Sequence, residues 1–248
     1  MVFILVFVLG ICLGSFLYAW VWRNKHQKSI ATERSECVNC AQKLHPRDLV
    51  PILSFIVLQG KCRFCHKKIS MVYPLVELIT GIVFVAVFAY HGQNFSPALF
   101  RDLLIVFFLE YIFLFDFLFG QIPWKYTVFP ACILIILSLA FQWNSLRNIL
   151  LGATIGSGFF LLQWIISKRT WVGDGDIGMG LFMGVVLGFP LILFGLLIAY
   201  VVGAVCMIPL IAMKKVNRKT AIAFGPFLSV GTFLAMMCGE GMFSFFSF

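Results

Sequence analysis

Apolar residues in this chain run in long blocks. Stretches near 2–22, 73–91, 100–119, 125–143, 147–167, 177–189, 190–211 and 224–246 are almost unbroken Val, Ile, Leu and Phe. Runs of roughly 20 such residues match the thickness of a bilayer core. Inside lipid a backbone must satisfy its own N–H and C=O groups, so each block is expected to be a helix. The sixth block is short and Pro190 divides it from the seventh, so the pattern admits seven or eight spans.

Between the blocks, only residues 23–72 are long enough to form a structure of their own. The expected fold is therefore an all-α polytopic membrane protein. It has about eight transmembrane helices and a small zinc-ribbon-like cytoplasmic insert between helices 1 and 2. The expected divisions are a first helix at 1–22, the insert at 23–72 and a membrane domain at 73–248. No internal repeat, low-complexity linker or heptad pattern stands out.

Composition agrees with lipid burial. Mean hydropathy is +1.00 and charged residues make up 12%, against roughly a quarter in soluble domains. Arg23 and Lys25 follow the first block instead of preceding it, which suits an uncleaved helix with its N-terminus outside. That orientation places seventeen of the nineteen Lys and Arg in inside segments, leaving only Arg101 and Arg147 outside. Such asymmetry is the positive-inside pattern. A basic cytoplasmic face against anionic lipid accounts for the +9 net charge without a nucleic-acid partner.

The insert reads "SECVNC" and then "GKCRFC". Cys37, Cys40, Cys62 and Cys65 form two C-x2-C knuckles, able to close a tetrahedral thiolate site of the kind zinc favours. A segment of this size has little apolar core, so a structural metal staple makes physical sense. The competing reading is a pair of disulfides, which a reducing cytosol disfavours. His45 and His66 lie near the knuckles but are not needed as ligands. Cys12, Cys132, Cys206 and Cys238 fall in apolar runs and are expected to be small core residues.

Among ten acids, Glu33, Glu36 and Asp48 belong to the insert, and Asp102 and Glu240 lie near the outer surface. Glu77, Glu110, Asp116, Asp174 and Asp176 remain. Ionisable groups at membrane depth are functional candidates. Asp116, in "FLFDFLFGQIP", falls about one turn before the cytoplasmic end of its helix, some 5 Å deep by helical rise. Asp174 and Asp176, in "WVGDGDIGMG", open the sixth block, just after the fifth has returned to the cytoplasm, at the same depth. If the acids meet, two adjacent carboxylates cannot both ionise cheaply, which suits acid–base hydrolysis of a peptide. Gly173 and Gly175 can take positive φ and allow close backbone approach where the helix starts. The plain alternative is that Asp174 or Asp176 merely caps the helix. Residues two apart on a helix point about 200° apart, so only one of the pair should face Asp116. Glu110 is expected to be a buried hydrogen-bonding group, and Glu77 a structural partner for a basic residue.

These motifs, in this order, resemble the type IV prepilin peptidases, membrane aspartic proteases of the G-x-G-D type. "GICLGSFLYAWVWR" resembles the family's opening helix, and the four cysteines resemble its insert. "LVPILSF" and "ISMVYPLVELITG" are similar to the stretches between and after the knuckles, and "AFGPFLSVG" to its last helix. The resemblance implies that the catalytic aspartates fall on Asp116 and Asp176, the latter as the D of Gly173-x-Gly175-Asp176, with Asp174 at the variable x. It implies a prepilin or pseudopilin substrate whose short basic leader is cut after a glycine at the cytoplasmic face. It further implies N-methylation of the new terminus with S-adenosylmethionine, structural Zn2+ in the insert, and service to a pilus, competence or type II secretion machinery. Glu77, Gly81 and Asp174 are the candidates for substrate or methyl-transfer contacts. The implied location is the bacterial cytoplasmic membrane.

Three positions depart from the family pattern. Trp124 stands where an acid or amide often follows Ile-Pro, Gly178 where a lysine is common, and Ala223 where a proline is usual. Two other classes remain open on the residues alone: a proton-coupled transporter, and a membrane-anchored zinc-binding adaptor acting through residues 23–72. The sequence leaves undetermined the pilin system served, whether methylation occurs and the oligomeric state.

Overall fold

A computed structural model describes residues 1–30, 34–213 and 223–246, without the side chains of 210–212 and 240–246. Glu33, the side chain of Glu240 and the basic loop at 214–222 therefore lie outside the described residues.

Each apolar block is a helix. They are α1 (Val2–Lys25), α3 (Val72–Tyr90), α4 (Pro97–Phe119), α5 (Lys125–Ala140), α6 (Leu146–Ile166), α7 (Asp174–Leu187), α8 (Leu191–Ala212) and α9 (Gly225–Phe246). The insert adds a short α2 (Leu53–Val57) and a 3-10 turn at Pro46–Leu49. No strand forms among the described residues; two isolated antiparallel bridges, Glu36 with Lys43 and Lys61 with Lys68, frame the knuckles.

By length and composition, Val2–Lys25, Val72–Tyr90, Leu146–Ile166 and Leu191–Pro209 can cross a membrane, and Lys125–Ala140 and Gly225–Gly239 are shorter apolar helices. Helix α4 is long enough, but Arg101, Asp102, Glu110 and Asp116 interrupt its apolar run. Helix α7 has fourteen residues, a rise of about 21 Å that is short of a core of about 30 Å. Large apolar side chains such as Leu162, Val205 and Ile208 stand exposed on the helix surfaces, as a lipid solvent permits. Cys12, Cys132, Cys206 and Cys238 are exposed too, contrary to the expectation of core positions. A thiol is apolar enough for lipid to receive it as readily as a core would.

Local chemistry sets the helix ends that matter. Ser96 Oγ accepts the Leu99 N–H at 3.2 Å to start α4. Gly120, at φ 62°, ends it in the left-handed region, its N–H donating to the Asp116 carbonyl at 2.7 Å. Gly188, also left-handed, and a cis Phe189–Pro190 bond separate α7 from α8, where the sequence placed the Pro190 break.

The chain forms two compact units, Met1–Phe95 and Ser96–Phe248. In the first, α1 lies against α3 through Gly10 and Gly14. A Cβ on Gly10 would sit 2.7 Å from the Gly81 Cα, and one on Gly14 2.9 Å from the Glu77 Cα. In the second, α6 and α7 meet backbone to backbone. A Cβ on Gly152 would lie 2.7 Å from the Gly188 Cα, and one on Gly180 2.8 Å from the Gly156 carbonyl carbon. Small residues four apart allow this approach in lipid, where close van der Waals contact replaces the hydrophobic effect as the packing force. The α6–α7 contact anchors the helix that carries "GDGD".

Candidate active site

Asp116 lies in the last turn of α4, only 5% exposed. Its Oδ2 accepts the backbone N–H of Gly225, the first residue of α9, at 2.7 Å. Asp176 lies in the first turn of α7, 9% exposed. Its Oδ2 accepts the Gly173 N–H at 2.9 Å, while the Asp176 N–H returns to the Gly173 carbonyl at 3.1 Å. Both carboxylates thus sit at the N-terminus of a helix, where unpaired N–H groups and the dipole favour negative charge.

The two acids are brought together. Asp116 acts on Asp176 as a neighbouring charge, and one side chain, Ile122 of the "GQIP" loop, lies beneath both helix starts. A Cβ on Gly175 would fall 2.7 Å from the Ile122 Cβ. One on Gly225 would fall 2.8 Å from the Ile122 Cδ1 and 2.7 Å from the Asp116 Oδ2. Glycine at 175 and 225 is therefore a matter of space. Gly173 differs: it has an ordinary φ of −79°, and a Cβ there would meet only the Asp176 Oδ2, at 3.6 Å. The expectation that these glycines can supply positive φ is corrected, because neither adopts it. Tyr200 of α8 is hydrogen-bonded to Gln163 at 3.1 Å.

Asp174 turns away, as residues two apart on a helix must. It is exposed, and its Oδ1 accepts the Trp164 indole N–H at 2.5 Å, with the Arg169 guanidinium 4.5 Å from the centre of that ring. The departures at 124 and 178 fall side by side. A Cβ on Gly178 would strike the Thr127 Oγ1 at 2.6 Å and touch the Trp124 ring at 3.5 Å. A lysine has no room there, because Trp124 and Thr127 occupy its space.

In the first unit, the sulfurs of Cys37, Cys40, Cys62 and Cys65 all lie within 4.8 Å of one another, with Cys37 and Cys65 at 3.9 Å. Four thiolates around one ion at the usual zinc–sulfur length stand about 3.8 Å apart, so the set fits a tetrahedral metal; a disulfide needs about 2 Å. The knuckles are near copies. Cys37 N–H donates to the Gln42 carbonyl and Cys62 N–H to the Lys67 carbonyl, both at 2.9 Å. Burial pushes the Cys62 thiol up, but N–H groups of Cys65 and Phe64 and the adjoining thiols outweigh it, bringing it to about 7. Within the cluster Cys40 is instead raised to about 11: the Gln42 backbone pulls it down, and burial and the neighbouring thiols win. His45 and His66 stand outside the group.

Among the described residues, Glu77 has no basic partner of the kind expected. It is buried, and its Oε2 accepts the Ile52 N–H at 2.7 Å, with Ser15 as a further hydrogen-bonding neighbour. Helix α3 starts at Val72, so Glu77 faces back toward the insert, where a backbone N–H reaches it first. Gly81 is a packing position: a Cβ there would meet Phe7 and Ile11 at 2.7 Å. Asp102 is buried and paired with Arg101 at 2.6 Å. Sequence reading missed Gly225 and Ile122 as members of the site, since nothing local marks a backbone donor. The glycines at 152, 156, 180, 184 and 188 did carry a signal, their spacing of four.

Residues 8–91 match the Bacterial Peptidase A24 N-terminal domain, a span that falls inside the first unit. A Bacillus subtilis protein named prepilin leader peptidase/N-methyltransferase is 31% identical over 247 residues, covering 98% of this chain and 96% of the relative. Proteins of the same name from Myxococcus xanthus and Pectobacterium carotovorum are 32% and 27% identical. They cover 88% and 93% of this chain, and 66% and 91% of their own lengths. No solved structure gives a significant match. With such a relative aligned over nearly its whole length, the chain belongs to the prepilin leader peptidase/N-methyltransferase family of enzymes.

Proposed function

We propose that this chain is a membrane-embedded aspartic endopeptidase that removes the basic leader of prepilins or pseudopilins, with Asp116 and Asp176 as its catalytic pair. The observation that carries the reading is the pairing itself. Two buried carboxylates from distant segments, each held by a helix N-terminal N–H, stand at two helix starts that share the Ile122 side chain. Such a pair holds one proton between them, because a second ionisation in the same buried site is costly. The ionised carboxylate takes a proton from water as the water oxygen bonds to the scissile carbonyl carbon. The protonated one gives its proton to the amide nitrogen as the carbon–nitrogen bond breaks. No covalent enzyme intermediate forms.

Both acids stand at helix ends that the charge pattern assigns to the cytoplasmic face of a bacterial inner-membrane protein, where a leader would be presented. Gly173 and Gly175 shape the helix start, and Gly175 keeps Ile122 beneath the pair. In the insert, Cys37, Cys40, Cys62 and Cys65 hold a structural zinc ion, which leaves no open coordination position for substrate. The family name also supports N-methylation of the newly exposed terminus with S-adenosylmethionine as donor. The products pass to a pilus, competence or type II secretion assembly.

The test is leader removal from a candidate prepilin by purified enzyme, read as product mass. Asp116→Asn and Asp176→Asn each abolish cleavage; Asp174→Asn, on the outward face, retains it. Full cleavage by either of the first two variants would sink the assignment. The same mass reports any added methyl group.

A further inference from the structure

The paired acids sit in the last turn of α4 and the first turn of α7. At the other ends of both helices lies a second feature of the same unit, a cavity of about 620 Å3. The starts of α4, α6 and α8 and the ends of α5 and α7 enclose it. Its size suits a small organic group. Arg101, Trp143, Asn144 and Asn148 give it polar walls, and Ile105 and Leu134 apolar ones.

The cavity stands where α7 stops short. A rise of about 21 Å leaves this helix about 9 Å from the far side of a bilayer core. Gly188 N–H makes the last helical bond, to the Gly184 carbonyl at 2.9 Å. The next N–H, from Phe189, goes to the Asn148 carbonyl at 3.0 Å, and Pro190 has none to give. The Val185 and Val186 carbonyls thereby lose their helical donors, and both residues line the cavity. At membrane depth a carbonyl without a donor is costly, and a helix C-terminus carries partial negative charge. This wall calls for a cation with N–H groups.

Another wall calls for the opposite. The Arg101 guanidinium is held by the buried Asp102 carboxylate at 2.6 Å and lies 5.0 Å from the centre of the Trp143 ring. A guanidinium fixed in this way is preorganised for a phosphate. The Asn144 amide nitrogen stands close to the end of α7, since a Cβ on Gly188 would fall 2.5 Å from it. Asp102 balances the charge of Arg101, so the site carries no excess positive charge for a plain anion. It suits a zwitterion.

We propose that this cavity binds the headgroup of an ethanolamine phospholipid, with its phosphate on Arg101 and its ammonium on the α7 carbonyls. The charge pattern places this end outside, so the lipid comes from the outer leaflet. Its acyl chains continue along Ile105 and Leu134. A bound headgroup completes the outer end of the helix whose first turn carries Asp176. The inference goes beyond the peptidase reading and does not depend on it.

The test is native mass spectrometry of delipidated full-length enzyme in detergent. It is titrated separately with phosphatidylethanolamine, phosphatidylcholine, phosphatidylglycerol and water-soluble glycerophosphoethanolamine. One phosphatidylethanolamine binds saturably, at least tenfold more tightly than the choline or glycerol lipid. Choline has the charge without N–H donors, and glycerol has no cation. The soluble headgroup, which buries no acyl chain, binds at least tenfold more weakly than the lipid. Arg101→Gln removes the phosphate partner and Val186→Trp fills the space beside the carbonyls; each weakens phosphatidylethanolamine binding at least tenfold. Thermal unfolding identifies a variant that fails to fold, and the lipid comparison on wild type stands without either. No saturable binding to wild type overturns the proposal. Equal binding of the three lipids, or tighter binding of the glycerol lipid, overturns the headgroup assignment. Soluble headgroup binding as tightly as lipid overturns the membrane source. A folded variant of either kind that binds like wild type overturns the location.

Discussion

The Gly225 N–H donates to the Asp116 Oδ2 at 2.7 Å across 109 positions of sequence. That bond seats the start of α9 on the end of α4. A Cβ on Gly225 would lie 2.7 Å from the same oxygen and 3.0 Å from the Asp116 Cβ, so the position tolerates no side chain unless the carboxylate moves.

Gly225→Ala is therefore expected to lower leader cleavage by roughly 10- to 100-fold, the scale of a catalytic group displaced by about 1 Å. Gly173→Ala, whose added Cβ meets nothing closer than 3.6 Å, stays within a few-fold of wild type. Initial rates on one prepilin, at matched enzyme concentration, make the comparison. Equal loss in both variants would show that close packing at 225 is not what matters.

The α6–α7 contact gives a second prediction. Gly156 faces the backbone of Gly180, and a Cβ would displace that backbone. Gly156→Val is expected to destabilise the second unit by about 3 kcal/mol or more, at the upper end of overpacking costs. Thermal unfolding in detergent measures it. Gly158→Val, at a position with no atom within 4 Å of an added Cβ, should unfold near the wild-type temperature.

For the insert, one metal ion per chain is expected in purified wild type, measured by elemental analysis. Cys62→Ser reduces this to well under half, because a hydroxyl is a poor replacement for a thiolate in a four-sulfur site. Chelator treatment makes residues 23–72 susceptible to protease, since a segment with so little core depends on its staple. Unchanged protease resistance after complete metal removal would rule out the structural role.

Asp48 provides a pH dependence. Its burial raises the carboxyl, but the Arg63 guanidinium, with the His45 N–H, outweighs it and holds the group below the usual carboxylate range. A group with a depressed folded-state value contributes stability that is present above its unfolded value, near 3.9, and is lost as pH falls through the folded one. Asp48→Asn should then unfold the insert more easily at pH 7 than wild type does, and the two should converge as pH falls through the lowered folded-state value. Limited proteolysis across pH reads this out; a gap that persists at the lowest pH would mean the pair contributes through shape.

Much of this was legible in one dimension. The eight apolar blocks became eight helices, because lipid leaves a backbone no other way to satisfy itself over such lengths. The thiolate cluster was legible from two short knuckles, whose chemistry is local. The opposite facing of Asp174 and Asp176 followed from helical geometry alone. The glycine seam between α6 and α7 was written in a spacing of four but needed a partner helix to have meaning.

What the sequence determined by itself, then, is everything that depends on near neighbours: where helices run, which sulfurs pair up in knuckles, and which way residues two apart on a helix turn. Lateral arrangement was decided only by tertiary structure. The Gly225 donor for Asp116, Ile122 beneath both helix starts, Trp124 and Thr127 in the space of a side chain at 178, and Ile52 bent toward Glu77 all join residues far apart in the chain. The physical reason is that composition and periodicity set how deep a helix lies and which way it turns. Which helices touch is set by close packing and by single backbone hydrogen bonds, and those leave no periodic trace.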